Sequence, residues 1–142
     1  MLYKKLLSIL LLLSALGGQA LASKAAYFVF TDGAGGKFVI KLTDAAKIKA
    51  ARASEHEYLS GKKDGYKHVM GTINTKSGVS YNPGWDYYLE PGSIRFVEVS
   101  TSVCNHTIGK VEKMVKDKVV DEYLPGKTWC PHQSRIIAEV SR

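Results

Sequence analysis

Cysteine is nearly absent from this chain. Cys104 and Cys130 are the only two, too few for a small scaffold held together by several disulfides. Proline is also scarce, with four residues, so a proline-rich linker is excluded. No internal repeat is visible, which sets aside a solenoid or propeller. The basic residues are scattered and no block of five or more like charges occurs, so a charged tail is excluded. The longest apolar run, residues 6 to 16, falls short of the ~20 residues that cross a bilayer as a helix.

Catalytic signatures are missing too. No G-x-S-x-G elbow is present. "GAGGK" approaches a phosphate-cradling loop, but Phe38 stands where Ser or Thr is needed. "DEYLPGKT" ends correctly and carries Asp121 where the leading glycine belongs; both glycine stretches read as turns. "HEYLS" opens like a zinc-protease helix and replaces the second histidine with Ser60.

The first residues, "MLYKKLLSILLLLSALGGQALA", show two lysines, a leucine-rich run and small residues ending in an A-x-A-like site. This is the three-part pattern of a secretory signal peptide over residues 1–22. Its removal leaves residues 23–142 as one domain and lowers the formal net charge from +7 to +5 by taking Lys4 and Lys5. The expected location is secreted or periplasmic, with no integral membrane span after processing.

Export decides how the cysteines read. "VCNHT" and "WCPHQ" each place a histidine two residues after the cysteine, so a Cys₂His₂ metal site, a Cys/His catalytic pair and a disulfide all come into question. Zinc spacings of the C-x₂₋₄-C and H-x₃₋₅-H kind are absent. An unpaired reactive thiol is hard to keep in an oxidising compartment. A Cys104–Cys130 disulfide is the expectation, closing a loop that stabilises by ~3–4 kcal/mol. No metal and no cofactor are expected.

Periodicity sets the fold. "AYFVF" and "KFVIKL" read as strands, the second alternating apolar and basic residues. Thr43 is placed as cap of a helix through "DAAKIKAARASEHEYLS" that buries Ala45, Ile48, Ala51 and Leu59 and stops near Gly61. "YKHVMGTINT" reads as a strand with a bulge at Gly71, "WDYYLE" as a short aromatic strand and "IRFVEV" as a strand covered on both faces. A second helix is placed over "TSVCNHTIGKVEKMVKD", with Cys104, Ile108, Val111 and Val115 on its apolar stripe, "EYLPGKTWCPH" as loop and "SRIIAEV" as the last strand. The expected fold is α+β: two helices packed on a mostly antiparallel sheet in the order β-α-β-β-α-β, with an additional N-terminal strand and one disulfide.

The aromatic stretch "YNPGWDYYLEPGS" supplies the ligand-binding candidates Tyr81, Trp85, Tyr87 and Tyr88. Rigid rings with a polar handle suit recognition, and they suit packing equally. Strand alternation sends Trp85 and Tyr87 to one face and Asp86 and Tyr88 to the other. The expected function is a secreted, non-enzymatic binding module for an extracellular protein, peptide or glycan. The alternative is a hydrolase with a dispersed His/Asp/Ser site that includes His68 and Asp86. Nucleic acid is not an expected partner, since no RNP1-like segment occurs.

"KFVIKLTDAAKI", "HVMGTI", "YNPGWDYYLEPGSIRF", "EVSTSVCN" and "LPGKTWCP" together resemble a family of small domains typified by the N-terminal region of a calmodulin-binding protein of social amoebae. The resemblance spans about Ala26 to Val140. Its most specific parts are the Tyr-Asn-Pro…Trp stretch and the Trp-Cys-Pro. It brings no catalytic residue, and the basic helix around Lys110 to Lys118 is the only local segment of a calmodulin-target type.

Overall fold

A computed structural model describes residues 24–142. The expected leader over residues 1–22 lies outside the described residues. The chain forms β1 (Ala26–Thr31), β2 (Lys37–Leu42), α1 (Ala45–Leu59), β3 (His68–Asn74), β4 (Tyr88–Leu89), β5 (Arg95–Val97), α2 (Ile108–Lys116), α3 (Val120–Tyr123), β6 (Thr128–Trp129) and β7 (Arg135–Val140). The class is α+β as expected, with two antiparallel sheets.

The first sheet runs β2-β1-β7. β1 alternates cleanly, burying Ala26, Phe28 and Phe30, as period-2 geometry requires of a strand with one covered face. α1 packs against β7 through Ile48 and Ala51. The helix begins one residue later than the sequence suggests: Asp44, not Thr43, is the cap, and its side chain accepts the Lys47 N–H at 2.9 Å. Ala45 and Leu59 are exposed, not buried, because the helix touches the sheet only along its middle turns.

The second sheet is built on β3. β4 pairs with it at Ile73 and Asn74, β5 at residues 68–70, and β6 at Gly71 and Thr72. Between β4 and β5 a 3₁₀ turn, Pro91–Ser93, interrupts the strand, and there Ser93 Oγ accepts the Thr72 N–H in place of a backbone carbonyl. Gly71 makes no bulge. A Cβ there would meet Leu89 at 3.2 Å, Ser93 Oγ at 3.3 Å and Ile94 at 3.4 Å, so the glycine answers crowding beneath β3. β5 is three residues long with a half-buried Phe96, shorter and more open than a strand covered on both faces.

The second helix differs most from expectation. It starts at Ile108, with Thr107 as cap, and Cys104 lies in the preceding turn. The cysteine still faces the core, bonded to Cys130 with Cα atoms 5.0 Å apart. The segment expected as loop, 122–132, contains the end of α3 and the two-residue β6.

Candidate functional site

The largest buried side chain, Trp129, sits at the centre of an aromatic core. Its ring lies 5.4 Å from Phe38, 5.6 Å from Tyr87 and 5.8 Å from Phe30, centroid to centroid. Buried indole and phenol groups need partners, and here both reach the entry to α2. Trp129 Nε1 donates to the His106 carbonyl at 2.8 Å, and Tyr87 Oη donates to the Ile108 carbonyl at 2.9 Å. Asp32, buried in the β1–β2 turn, completes the arrangement: Oδ2 accepts the Ile108 N–H at 2.8 Å, while Oδ1 accepts the N–H groups of Ala34 and Gly36, each at 2.9 Å. Gly36 allows this approach, because a Cβ there would lie 3.1 Å from Ile108 Cδ1. Three distant sequence motifs therefore meet on residues 106–108.

The "YNPGW" loop is spent largely on the same framework. β2 is an edge strand of the first sheet, and two of its backbone groups are met by side chains. Asn82 Oδ1 accepts the Val39 N–H at 2.8 Å, and Trp85 Nε1 donates to the Lys37 carbonyl at 2.8 Å. Asn82 Nδ2 donates to the Tyr87 carbonyl at 3.3 Å, and Glu112 Oε2 accepts the Asp86 N–H at 3.1 Å. Asn82 and Glu112 are both buried, so these contacts pin the loop against β2 and α2.

The four aromatic candidates divide. Tyr87 is fully buried, its ring 5.0 Å from Phe38, and it offers a ligand no surface. Burial, with Glu112 and Asp32 nearby, holds its phenol far above the usual range. Trp85 is partly buried beside it, 6.5 Å away ring to ring, and its N–H is already committed. Tyr81 and Tyr88 lie elsewhere. Tyr81 packs against Tyr27 with the rings tilted and 5.3 Å apart, and its phenol is pushed up to about 12 by partial burial and by Tyr88, Tyr27 and Glu90 nearby. Tyr88 faces Asn74 across the sheet, and Asn74 Nδ2 donates to Glu90 Oε1 at 2.5 Å. Tyr27, Tyr81, Tyr88 and Glu90 thus form one half-open patch.

The histidines do not converge with acids or hydroxyls. Among the described residues, no histidine side chain is hydrogen-bonded to a carboxylate or to a serine. His68, on β3, is half-buried with Nδ1 enclosed and unpartnered; burial first, then His132, lowers its pKa. Asp86 is exposed and belongs to the loop pinned by Glu112. His106 is also lowered, by burial and by Lys110, against a hydrogen bond with the Tyr123 backbone. Among the described residues no group of three or more His, Cys, Asp or Glu could hold a metal ion, and no helix is long and apolar enough to cross a membrane. α2 turns Ile108, Val111 and Met114 into the core, so its apolar side is already occupied.

Sequence reasoning missed Asp32, Asn82 and Glu112. The Asp-Gly turn at residues 32–33 was a signal for the first, since an aspartate commonly bonds backbone amides just beyond itself. The other two act across distances that no local pattern reports.

A family model described as the BP-74 N-terminal domain matches residues 24–142. No curated protein and no solved structure matches the chain.

Proposed function

We propose that this chain, which belongs to the BP-74 N-terminal domain family, is an exported, non-enzymatic interaction module that engages a protein, peptide or glycan through the patch formed by Tyr81 and Tyr88. The observation that carries the reading is the division within one aromatic segment. Asn82, Trp85 and Tyr87 are bonded into the framework, while Tyr81 and Tyr88 stay half-open on it, beside Tyr27 and Glu90. Tyrosines held rigidly at a surface offer contact area at little entropic cost. The Cys104–Cys130 bond supports export, since such bonds persist in oxidising compartments.

The test is capture of native extracellular components on immobilised residues 23–142. Tyr81→Ala and Tyr88→Ala variants with unchanged thermal unfolding are expected to lose the captured species. Unchanged capture by both variants would remove this patch as the site.

A further inference from the structure

Two non-glycine residues in left-handed backbone line one cavity. Lys118, at φ 58°, closes α2: its N–H donates to the Val115 carbonyl and the Val119 N–H donates to the Met114 carbonyl. Glycine is the usual residue at such a helix stop. Lys127, at φ 54°, follows Gly126 at φ 64° in the turn before β6, and its N–H donates to the Leu124 carbonyl. Side-chain sterics disfavour this conformation at both positions, and strain of this kind, held in place by the surrounding structure, clusters at functional sites. A third such residue, Gln133 at φ 54°, lies outside this cavity, where its side chain packs over Gly33.

Both lysines border a cavity of about 320 Å³ with Thr75, Val115, Val120 and Asp121. A second cavity, of about 260 Å³, shares Thr75 and Lys127 with the first and adds Thr72, Ile73, Asn74, Lys76 and Glu90. The result is an elongated groove with three ammonium groups and two threonine hydroxyls. Among the described residues, none of the ammonium groups of Lys76, Lys118 and Lys127 makes an ion pair or hydrogen bond. Two carboxylates counter their charge, Glu90, already bonded to Asn74 Nδ2, and Asp121 on the lining of the first cavity. Through Asn74 and Glu90 the groove continues into the patch of Tyr88 and Tyr81.

We infer that this groove binds a sulfated glycan, with Lys118, Lys127 and Lys76 holding the sulfate groups and the hydroxyls of Thr72 and Thr75 meeting the sugar. Lysine meets an oxyanion as a point charge with rotatable donors, which suits sulfates spaced along a flexible chain. Aromatic rings next to the cations offer the flat apolar area on which a sugar face can rest. The inference rests on the interaction-module reading and names its ligand class.

The test measures binding of a sulfated oligosaccharide, its desulfated counterpart, inorganic sulfate and a single-stranded DNA oligonucleotide to residues 23–142. The sulfated oligosaccharide is expected to bind, weakening with salt, and the desulfated one to lose most of the affinity. Lys118→Gly with Lys127→Gly is expected to weaken binding by at least about tenfold, by removing two charge-assisted contacts. The same variant is expected to unfold at a higher temperature, because glycine relieves the strain. Lys49→Ala with Lys63→Ala, equal in charge but remote from the groove, is expected to change affinity less than about twofold. Asp121→Asn is expected to tighten binding. Equal losses in the two lysine pairs, DNA bound as tightly as the glycan, or no binding by the unaltered protein would each overturn the inference. The tyrosine-patch reading fails separately, through unchanged capture by the Tyr81→Ala and Tyr88→Ala variants.

Discussion

Asp32 and Ile108, 76 residues apart in sequence, are joined by a 2.8 Å hydrogen bond from the Ile108 amide to Asp32 Oδ2. The bond fixes the start of α2 against the β1–β2 turn. It supplies one of the amide partners that the first turn of a helix cannot find within itself. The same carboxylate organises its own turn through Ala34 and Gly36, so one side chain sets the geometry of two elements.

Replacing Asp32 with alanine removes three charge-assisted acceptor contacts and leaves a buried amide unpaired. The expected cost is about 2–4 kcal/mol in urea unfolding, with Asp32→Asn losing less because its carbonyl oxygen can keep part of the set. A loss below about 0.5 kcal/mol for alanine would show that the turn and α2 are placed by packing alone.

Trp129→Phe and Tyr87→Phe each delete one donor to the segment 106–108 while keeping an aromatic ring. Each is expected to cost about 1–3 kcal/mol. The double variant should deviate from additivity by more than about 0.5 kcal/mol, because the rings touch and share one segment. Strict additivity would mean that the two donors act independently.

Reduction of Cys104–Cys130 opens a link of sequence separation 26 and is expected to destabilise by roughly 3–4 kcal/mol in the chain-entropy view. Denaturant midpoints with and without reductant measure it. Because Cys130 N–H also donates to the Cys104 carbonyl at 2.8 Å, the local geometry is expected to survive reduction at low denaturant.

His68 gives the fold a pH dependence of definite sign. Its pKa is lowered in the folded chain from the ordinary 6.5, chiefly by burial and secondarily by His132. The unfolded chain therefore binds the proton more readily, so the contribution of His68 is complete above about pH 6.5 and declines as the pH falls toward the depressed folded value. His106 acts in the same direction. His68→Gln is expected to flatten the fall in unfolding midpoint between about pH 7 and 5. An unchanged slope would assign that dependence to other groups.

The regular elements were readable where one face repeats cleanly. β1 and β3 follow alternation, and Ile48 with Ala51 marks the buried side of α1, whereas β2 buries Val39 along with Phe38 and Ile40. The disulfide followed from cysteine count and expected compartment, although the helix invoked around Cys104 does not exist there. The spacing of Cys104, Ile108 and Val111 imitates a helical stripe because all three face the core, yet Thr107 and Asp32 begin the helix at Ile108. β6 is two residues long and gains its place by pairing with Gly71 and Thr72 and by the burial of Trp129. The aromatic candidates were visible by type, but their division was set by long-range partners. Tyr87 is drawn inside by Phe38 and Trp129, and Trp85 is held by the edge of β2.

Hydroxyl-radical footprinting of residues 23–142, free and with its captured partner, tests most directly whether the aromatic segment has one framework half and one recognition half. Tyr81 and Tyr88 are expected to label in the free protein and to be protected by the partner, with Tyr87 and Trp129 silent in both states. Labelling of Tyr87 as rapid as that of Tyr88, or a partner that leaves Tyr88 unprotected, would contradict the account.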